Sequence, residues 1–374
     1  MKIIRDRLVS EFASLVAIDS KSFDEKHMGE YIKQRLISLG LTVYEDDAGK
    51  QYNGTCGNIY GYLEGDENIT TEPLLFCSHM DTVEPSSGKQ AIIGENGIIR
   101  SNGRTVLGAD DCSGIAAILE ALTVIKEQNI PHRPIEVLFT IAEELYCKGA
   151  AAFDFSKIKS KEAYVLDLTG PVGSAAYKAP TILSLHIAVT GKASHAGFAP
   201  EKGKHSILAA ARAIAALQLG HVDEETTLNI GLIQGGTATN IVPEHCIVSG
   251  EVRSYSHEKS LQLADDVKKR FIASADEAGA KVVFEIQTHC RAYEIPLDHP
   301  VVDRFKRISR EKELPVTLQK TFGGSDNHHL ASHGIHGLVL ANAMYDCHSC
   351  EEYTTIDELC NIAGLTLSLM LSGD

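Results

Sequence analysis

The chain has 374 residues, of which 44% are hydrophobic and 23% charged, a composition typical of a soluble globular protein with more than one domain. Its net charge of −15 argues against nucleic-acid binding, which requires basic surfaces. No apolar run reaches about 18 residues, and the charged N-terminal segment lacks the apolar core of a signal peptide, so we expect no membrane partner. Nine cysteines, an odd count without a secretion signal, favour reduced thiols in a cytoplasmic protein.

Helical and strand-like segments alternate through the first part of the chain. Many of the strand-like runs are apolar throughout, which is typical of strands buried on both faces of a largely parallel or mixed α/β sheet. Gly40 is a suitable stop for the second helix. The predicted helices are 1–18, 25–40, about 113–128 and 148–155, and the predicted strands are 41–46, 57–64, 73–79, 135–142 and 162–168.

From about residue 180 the order becomes β-α-β-β-α-β, the arrangement of ferredoxin-like domains. Residues 298–374 then return to helix, loop, strand and helix. His348 lies in this returning segment, yet the other candidate ligands precede residue 170. We therefore expect residues 179–293 to be a domain inserted into a larger one, made of 1–178 plus 294–374.

Five separate segments each end an apolar run with residues that bind hard divalent metals. At the carboxyl ends of parallel strands such groups gather at one edge of the sheet. Two histidines and three carboxylates, one of them shared, suit a pair of zinc-like ions, which activate water against amides or esters. The segments are LLFCSHMDTV (His79, Asp81), VLGADDCSG (Asp110, Asp111), VLFTIAEEL (Glu143, Glu144), AYVLDLTG (Asp167) and MYDCHSCEE (His348).

Each segment also has an ordinary structural interpretation. His79 and Asp81 point to the same side of an extended chain, so Asp81 can fix the tautomer of a ligating His79; alternatively, His79 is a core histidine. Asp110 can bridge two ions; the alternative is an N-cap of the helix 113–128, a role that suits Asp111 or Ser113. Cys347 and Cys350 form a CHSC cluster, but no second cysteine pair has matching spacing, so we do not expect a structural zinc there.

Glu143 and Glu144 are adjacent and cannot both point at one metal from a regular strand. We expect one to ligate and the other to remain free as a base that takes a proton from water and delivers it to the leaving amine. The alternative is a pair of solvated acids at the start of a helix.

Together, HMDTV, GADDCSG, AEE, the strand-end Asp and the late His resemble the dinuclear zinc peptidases of the M20 family. The chain is most similar to the peptidase T-like, or tripeptidase-like, branch of that family. The resemblance extends over nearly the whole chain, including SHAG, GGTATNIVP, EVRS and GGSDN. It implies a zinc exopeptidase-like catalytic domain with a mixed sheet and an inserted ferredoxin-like domain that serves as lid and dimerisation domain.

The resemblance also implies a ligand set for two Zn²⁺ ions per subunit. His79, Asp110 and Asp167 would hold one ion, and Asp110, Glu144 and His348 the other. Co²⁺ or Mn²⁺ can occupy the same ligands.

Further roles follow from the same resemblance. Glu143 would be the general base and acid, and Asp81 would orient His79. The peptide between Asp110 and Asp111 is expected to be cis.

In the inserted domain, the resemblance implies that His195 reaches a neighbouring active site and stabilises the oxyanion. Asn240 and Arg253, expected on neighbouring strands, would bind substrate, and the fork of Arg253 suits a carboxylate. Gly323 and Gly324 would offer backbone groups to the same end of the substrate. Each has an alternative as a turn or surface residue.

These observations predict a cytoplasmic, homodimeric metallo-exopeptidase that acts on short peptides such as tripeptides. A related amidohydrolase, such as an N-acyl-amino-acid deacylase, a carbamoyl hydrolase or a dipeptidase, would use the same metal site. A metal-binding scaffold without turnover is a third hypothesis, against which the intact Glu143 argues.

Overall fold

The computed structural model describes residues 2–373, which divide into two compact units. The predicted division assigned all of residues 294–374 to the first domain, but Phe322–Gly324 belong to the second unit. The first unit runs to Lys178 and continues with Glu294–Thr321 and from Ser325 onward, and the second comprises Ala179–Tyr293 and Phe322–Gly324.

Among the described residues, the main sheet has nine strands and is mixed, as the sequence predicts. Its four central strands are parallel, and the outer ones are mostly antiparallel. The order is Thr42–Glu45, Ile59–Leu63, Ile135–Thr140, Leu74–His79, Glu162–Leu168, His336–Ala341, Ser174–Ala179 and Tyr293–Glu294, with Thr317–Lys320 parallel to Ser174–Ala179.

The central strands are apolar because both of their faces are covered. Every residue of Leu74–His79 and Ile135–Thr140 is buried. Two parallel neighbours of this kind bring their carboxyl ends to one edge of the sheet, where a chain leaving each strand can present polar groups.

Helices cover the sheet, and the longest of this unit, Ala109–Glu127, is buried over nearly its whole length. Lys26–Leu39 ends as predicted at Gly40, whose φ of 94° lets its amide and that of Leu41 bond back to the last turn. The helices are Arg5–Val16, Lys26–Leu39, Ala48–Gln51, Ala109–Glu127, Lys148–Ala152, Pro300–Glu311, Asn327–Ser332 and Ile356–Met370, and the strands Ile92–Ile93, Ile98–Arg100 and Tyr353–Thr355 form a small separate sheet.

The second unit packs two helices, Ser206–Ala215 and His257–Glu277, against one antiparallel sheet. Alternate residues of the strand Thr181–Thr190, such as Leu185 and Ile187, enter the core. The predicted β-α-β-β-α-β order is present, with one additional edge strand, Gly220–Asp223. The sheet order is Gly220–Asp223, Thr226–Gly235, His245–Ser254, Thr181–Thr190 and Lys281–Cys290, and Ser194–His195 pairs separately with Ile241–Val242.

Candidate metal centre

The five predicted ligands lie together in the first unit. His79 is the last residue of its strand, and Asp167 lies near the end of the parallel neighbour Glu162–Leu168. Asp110 is at the start of the long buried helix. Glu144 lies in a short 3₁₀ turn just beyond the strand Ile135–Thr140, and His348 lies in the loop that follows His336–Ala341.

Asp110 lies between the two imidazoles. Its Oδ1 is 3.0 Å from Nε2 of His79, and its Oδ2 is 3.3 Å from Nε2 of His348. Nε2 of His79 is 4.0 Å from Oδ1 of Asp167, and Nε2 of His348 is 3.0 Å from Oε2 of Glu144. One carboxylate therefore offers a separate oxygen to each of two His–carboxylate sets.

The donor chemistry of both sets fits divalent ions. In each set, His79–Asp110–Asp167 and Asp110–Glu144–His348, the ligand atoms lie within 4.8 Å of one another. Imidazole nitrogen and carboxylate oxygen are borderline and hard ligands that suit zinc and its neighbours. Oε1 of Glu144 is buried without a hydrogen-bond partner, as expected of an oxygen that a cation would satisfy.

Without metal ions, the carboxylates and imidazoles of the cluster shift one another's pKa values, and the carboxylates favour positively charged imidazoles. Burial would lower the pKa of His79, but hydrogen bonds to Asp110 and Asp81 outweigh it and raise that pKa well above its ordinary value. Hydrogen bonds to Asp110 and Glu144 raise the pKa of His348 to about 10. Burial opposes ionisation of Asp110, yet both imidazoles together hold its pKa below the usual range.

The remaining carboxyls respond in the opposite direction. Burial raises the pKa of Asp167 and of Glu144, and neighbouring acids add to the effect. Protons and divalent ions therefore compete for the same oxygen and nitrogen atoms, as is general for metal sites.

Glu143 lies beside the cluster and belongs to neither His-containing donor set. Its side chain is buried, and burial raises its pKa well above the ordinary value. Sγ of Cys147 donates a hydrogen bond to its Oε1 at 3.1 Å. Glu143, Cys147 and Asp326 form a third close group of potential ligands. We attribute no metal to it, because Glu143 is the carboxylate that the two His-containing sets leave free.

The turn that carries Glu143 and Glu144 has an unusual backbone. Ala142, Tyr146 and Cys147 have positive φ values of 47°, 68° and 55° although none is glycine. Such conformations persist only where surrounding contacts impose them, and they concentrate at functional sites.

Asp81 supplies part of that restraint. Its Oδ1 accepts the amide of Glu143 at 2.9 Å, and its Oδ2 accepts the amide of Glu144 at 3.2 Å and the hydroxyl of Ser22 at 2.7 Å. Nδ1 of His79 is 3.0 Å from the backbone oxygen of Asp81 and 3.3 Å from its carboxylate. The backbone carbonyl therefore shares the orienting role that the sequence suggested for the carboxylate alone.

Sequence reasoning missed two further contributors. Oε1 of the buried Glu25 accepts the amide of Ala142 at 3.0 Å, and Oδ1 of Asn58 accepts the amide of Ile141 at 3.0 Å. With Asp81, side chains from three distant segments thus bind four consecutive amides before and within the turn. No local spacing signals these contacts, because each joins residues far apart in sequence.

The neighbouring Asp111 is structural. Its Oδ2 accepts the amide of His79 at 3.1 Å, and its Oδ1 accepts the amide of Gly114 at 3.2 Å, the contact of a helix cap. The peptide between Asp110 and Asp111 is cis.

In the second unit, His195 lies on the short strand Ser194–His195, and the amide of Ala196 donates to the carbonyl of Asn240. These two candidates are thus neighbours. Asn240 lies in the loop before Ile241–Val242 and not on a strand, which corrects the prediction. Nδ1 of the exposed His195 accepts two amides, from Gly197 and Phe198, each at 3.1 Å.

Arg253 lies on the strand His245–Ser254, and its guanidinium already has partners. Nε and Nη2 donate to the carboxylate of Glu251 at 2.6 and 3.1 Å, and Nη1 donates to the carbonyl of Phe322 at 2.6 Å. Gly323 and Gly324 follow Phe322 in the same unit, where a Cβ on Gly324 would lie 3.1 Å from Ile182.

Comparisons with known proteins show which family the sequence and the fold resemble. A model of the peptidase dimerisation domain of M20 enzymes matches residues 177–279, and a model of peptidase family M28 matches residues 58–212. A tripeptidase from Staphylococcus aureus is 34% identical, with a TM-score of 0.95 over 99% of this chain and 98% of that one. The aminopeptidase PepT of Bacillus cereus is 37% identical, with a TM-score of 0.90 over 98% of each chain.

The chain belongs to the M20 peptidase family, in its peptidase T-like branch. Peptidase T of Escherichia coli is a further relative, 28% identical over 94% of this chain and 95% of its own. The predictions of the family, of the mixed α/β fold and of a metal-dependent hydrolase of peptide bonds are confirmed. Among residues 2–373, no helix is both long and apolar enough to cross a membrane.

Proposed function

We propose that this M20 peptidase is a cytoplasmic, zinc-dependent aminopeptidase that hydrolyses short peptides, with tripeptides as the preferred class. The observation that carries the proposal is Asp110, whose two oxygens face His79 and His348, while the buried Glu143 belongs to neither His-containing set. The names of the tripeptidase and aminopeptidase relatives support the substrate class.

The proposed ligands divide between two ions. His79, Asp110 and Asp167 would hold one, and Asp110, Glu144 and His348 the other, in line with the two donor sets. When bound, the ions would act as Lewis acids on the substrate carbonyl and make the attacking water more acidic.

Glu143 would accept the proton of the attacking water and pass it to the amine nitrogen as the C–N bond breaks. Burial favours this role because it raises the pKa of Glu143 and so makes the carboxylate a better proton acceptor than an exposed glutamate. Asp81 would keep the base in place through the amides of Glu143 and Glu144.

His195 would stabilise the oxyanion. Because its Nδ1 accepts two amides, the ring proton belongs on Nε2, which leaves an N–H donor for a developing negative charge. The match of the dimerisation-domain model over 177–279 supports a homodimer, in which His195 of one subunit would serve the site of the other.

Asn240, Arg253, Gly323 and Gly324 would complete substrate recognition. Glu251 occupies two nitrogens of the Arg253 fork, so a substrate carboxylate would share or displace that partner.

The deciding experiment is hydrolysis of a di-, tri- and tetrapeptide library by metal-loaded protein, with products identified by mass spectrometry. We expect release of the N-terminal residue, fastest from tripeptides. Hydrolysis of N-acyl or N-carbamoyl amino acids instead would identify a related amidohydrolase, and an inert metal-loaded protein would identify a scaffold.

A further inference from the structure

Glu352 is a buried carboxylate that connects two segments carrying ligands of the second proposed ion, the segment of His348 and the segment of Asp110. It lies four residues after His348, in the segment HSCEE, and only 1% of it is exposed. Its Oε2 accepts the amide of Gly108 at 2.7 Å, and its Oε1 accepts the amide of Asp110 at 2.9 Å.

The amides that Glu352 binds lie where the helix backbone offers them no hydrogen-bond acceptor. Gly108 has a φ of 78°, and Asp110 and Asp111 have non-helical backbone angles although they lie in the first turn of a helix. The first amides of a helix lack intrahelical acceptors, and buried amides need partners. The two amides bind different oxygens of Glu352, and a carboxamide would keep only one of these two acceptors.

The segment of Glu352 is itself fixed. Arg100 donates from Nη1 to the carbonyl of Glu351 at 2.9 Å, and Tyr353 pairs with Arg100 across a small antiparallel sheet. The position of the Asp110 amide is therefore set relative to the same loop that carries His348.

We propose that Glu352 is a positioning residue that sets the spacing between Asp110 and His348 and thereby the affinity of the second metal position. Its effect passes through the backbone of Asp110, since neither oxygen of Glu352 is needed as a ligand in the proposed sets. This inference rests on the proposed metal site.

The test compares Glu352→Gln with Glu352→Asp and with the control Glu351→Gln, which changes the exposed neighbour. Glutamine removes one acceptor and turns an NH₂ group toward a backbone N–H. Titration of the metal-free proteins with Co²⁺, followed by visible absorption, should show binding at the second position weakened roughly 10- to 100-fold in Glu352→Gln. Glu352→Asp should be intermediate, and Glu351→Gln should match the wild type.

A second measurement separates this inference from the proposed function. Deuterium exchange of the metal-free proteins should be faster around Gly108 and Asp110 in Glu352→Gln, intermediate in Glu352→Asp and unchanged in Glu351→Gln, whether or not any peptide is hydrolysed. Wild-type Co²⁺ affinity and wild-type exchange in Glu352→Gln would overturn the inference. If that variant does not fold, Glu352→Asp decides, and wild-type affinity there would overturn it equally.

Discussion

The candidate residues of the two units differ in how the protein holds them. In the first unit, His79, Asp81 and Asp110 are buried, and each has hydrogen-bond partners from distant segments. In the second, His195 and Asn240 are exposed and are held by contacts within their own loop and strand pair. The fold holds the first group in place, whereas the second group would act only when a substrate or another subunit binds near it.

The largest expected effect tests the buried group. Glu143→Gln keeps the shape of the side chain and removes its basicity, so kcat on a tripeptide should fall about 10²- to 10⁴-fold. Metal content, measured by mass spectrometry of the digested protein, should not change, because neither His-containing donor set includes Glu143. The matched control is Glu95→Gln in an exposed turn. Activity within a few fold of wild type would show that another group is the base.

A smaller effect is expected in the exposed group. His195→Ala removes one donor to the oxyanion, and loss of such a donor typically lowers kcat about 100-fold. Thermal stability and metal content should remain at wild-type values, because the side chain is exposed. His245→Ala, at another exposed histidine of the same unit, is the control. Equal activity in both variants would contradict the oxyanion role of His195 and increase the difference between the buried candidates of the first unit and the exposed candidates of the second.

The candidate ligands of the first unit could be predicted from the sequence because these polar residues end apolar runs. Strands such as Leu74–His79 and Glu162–Leu168 had to be parallel and buried, so His79 and Asp167 had to meet at one edge. The position of Asp110 between a glycine turn and a helix predicted that its carboxylate can bridge two ions. Apolar runs and strand direction thus predicted the convergence, whereas the division of the ligands between two ions came from the resemblance to M20 enzymes.

Other features lay beyond such reasoning. Glu25, Asn58 and Glu352 each accept backbone amides far away in sequence, which no local pattern encodes. The partner of Arg253 could have been predicted, however, because Glu251 is two residues earlier on the same strand and therefore lies on the same face. The position of Asn240 was missed because turn residues and short strands are hard to separate by propensity.

The smallest expected effect concerns Glu25 and stability. Burial, with the charge of Asp81, raises the pKa of Glu25 from 4.5 to about 7. Between these two values the folded state holds a proton that the unfolded chain releases, so stability falls as the pH rises through this window and levels above pH 7. Glu25→Gln removes that dependence while its carbonyl oxygen can still accept the amides of Phe23 and Ala142.

We therefore expect the difference in unfolding free energy between Glu25→Gln and wild type to shift in favour of the variant by up to about 3 kcal/mol between pH 4.5 and pH 8. Urea unfolding of both proteins across this range, with identical metal content, isolates Glu25 because the other buried carboxyls titrate in both. Asp24→Asn, at the exposed neighbour, should show no such shift. A constant difference between Glu25→Gln and wild type would mean that Glu25 stays ionised throughout, and that the amides of Phe23 and Ala142 outweigh the cost of its burial.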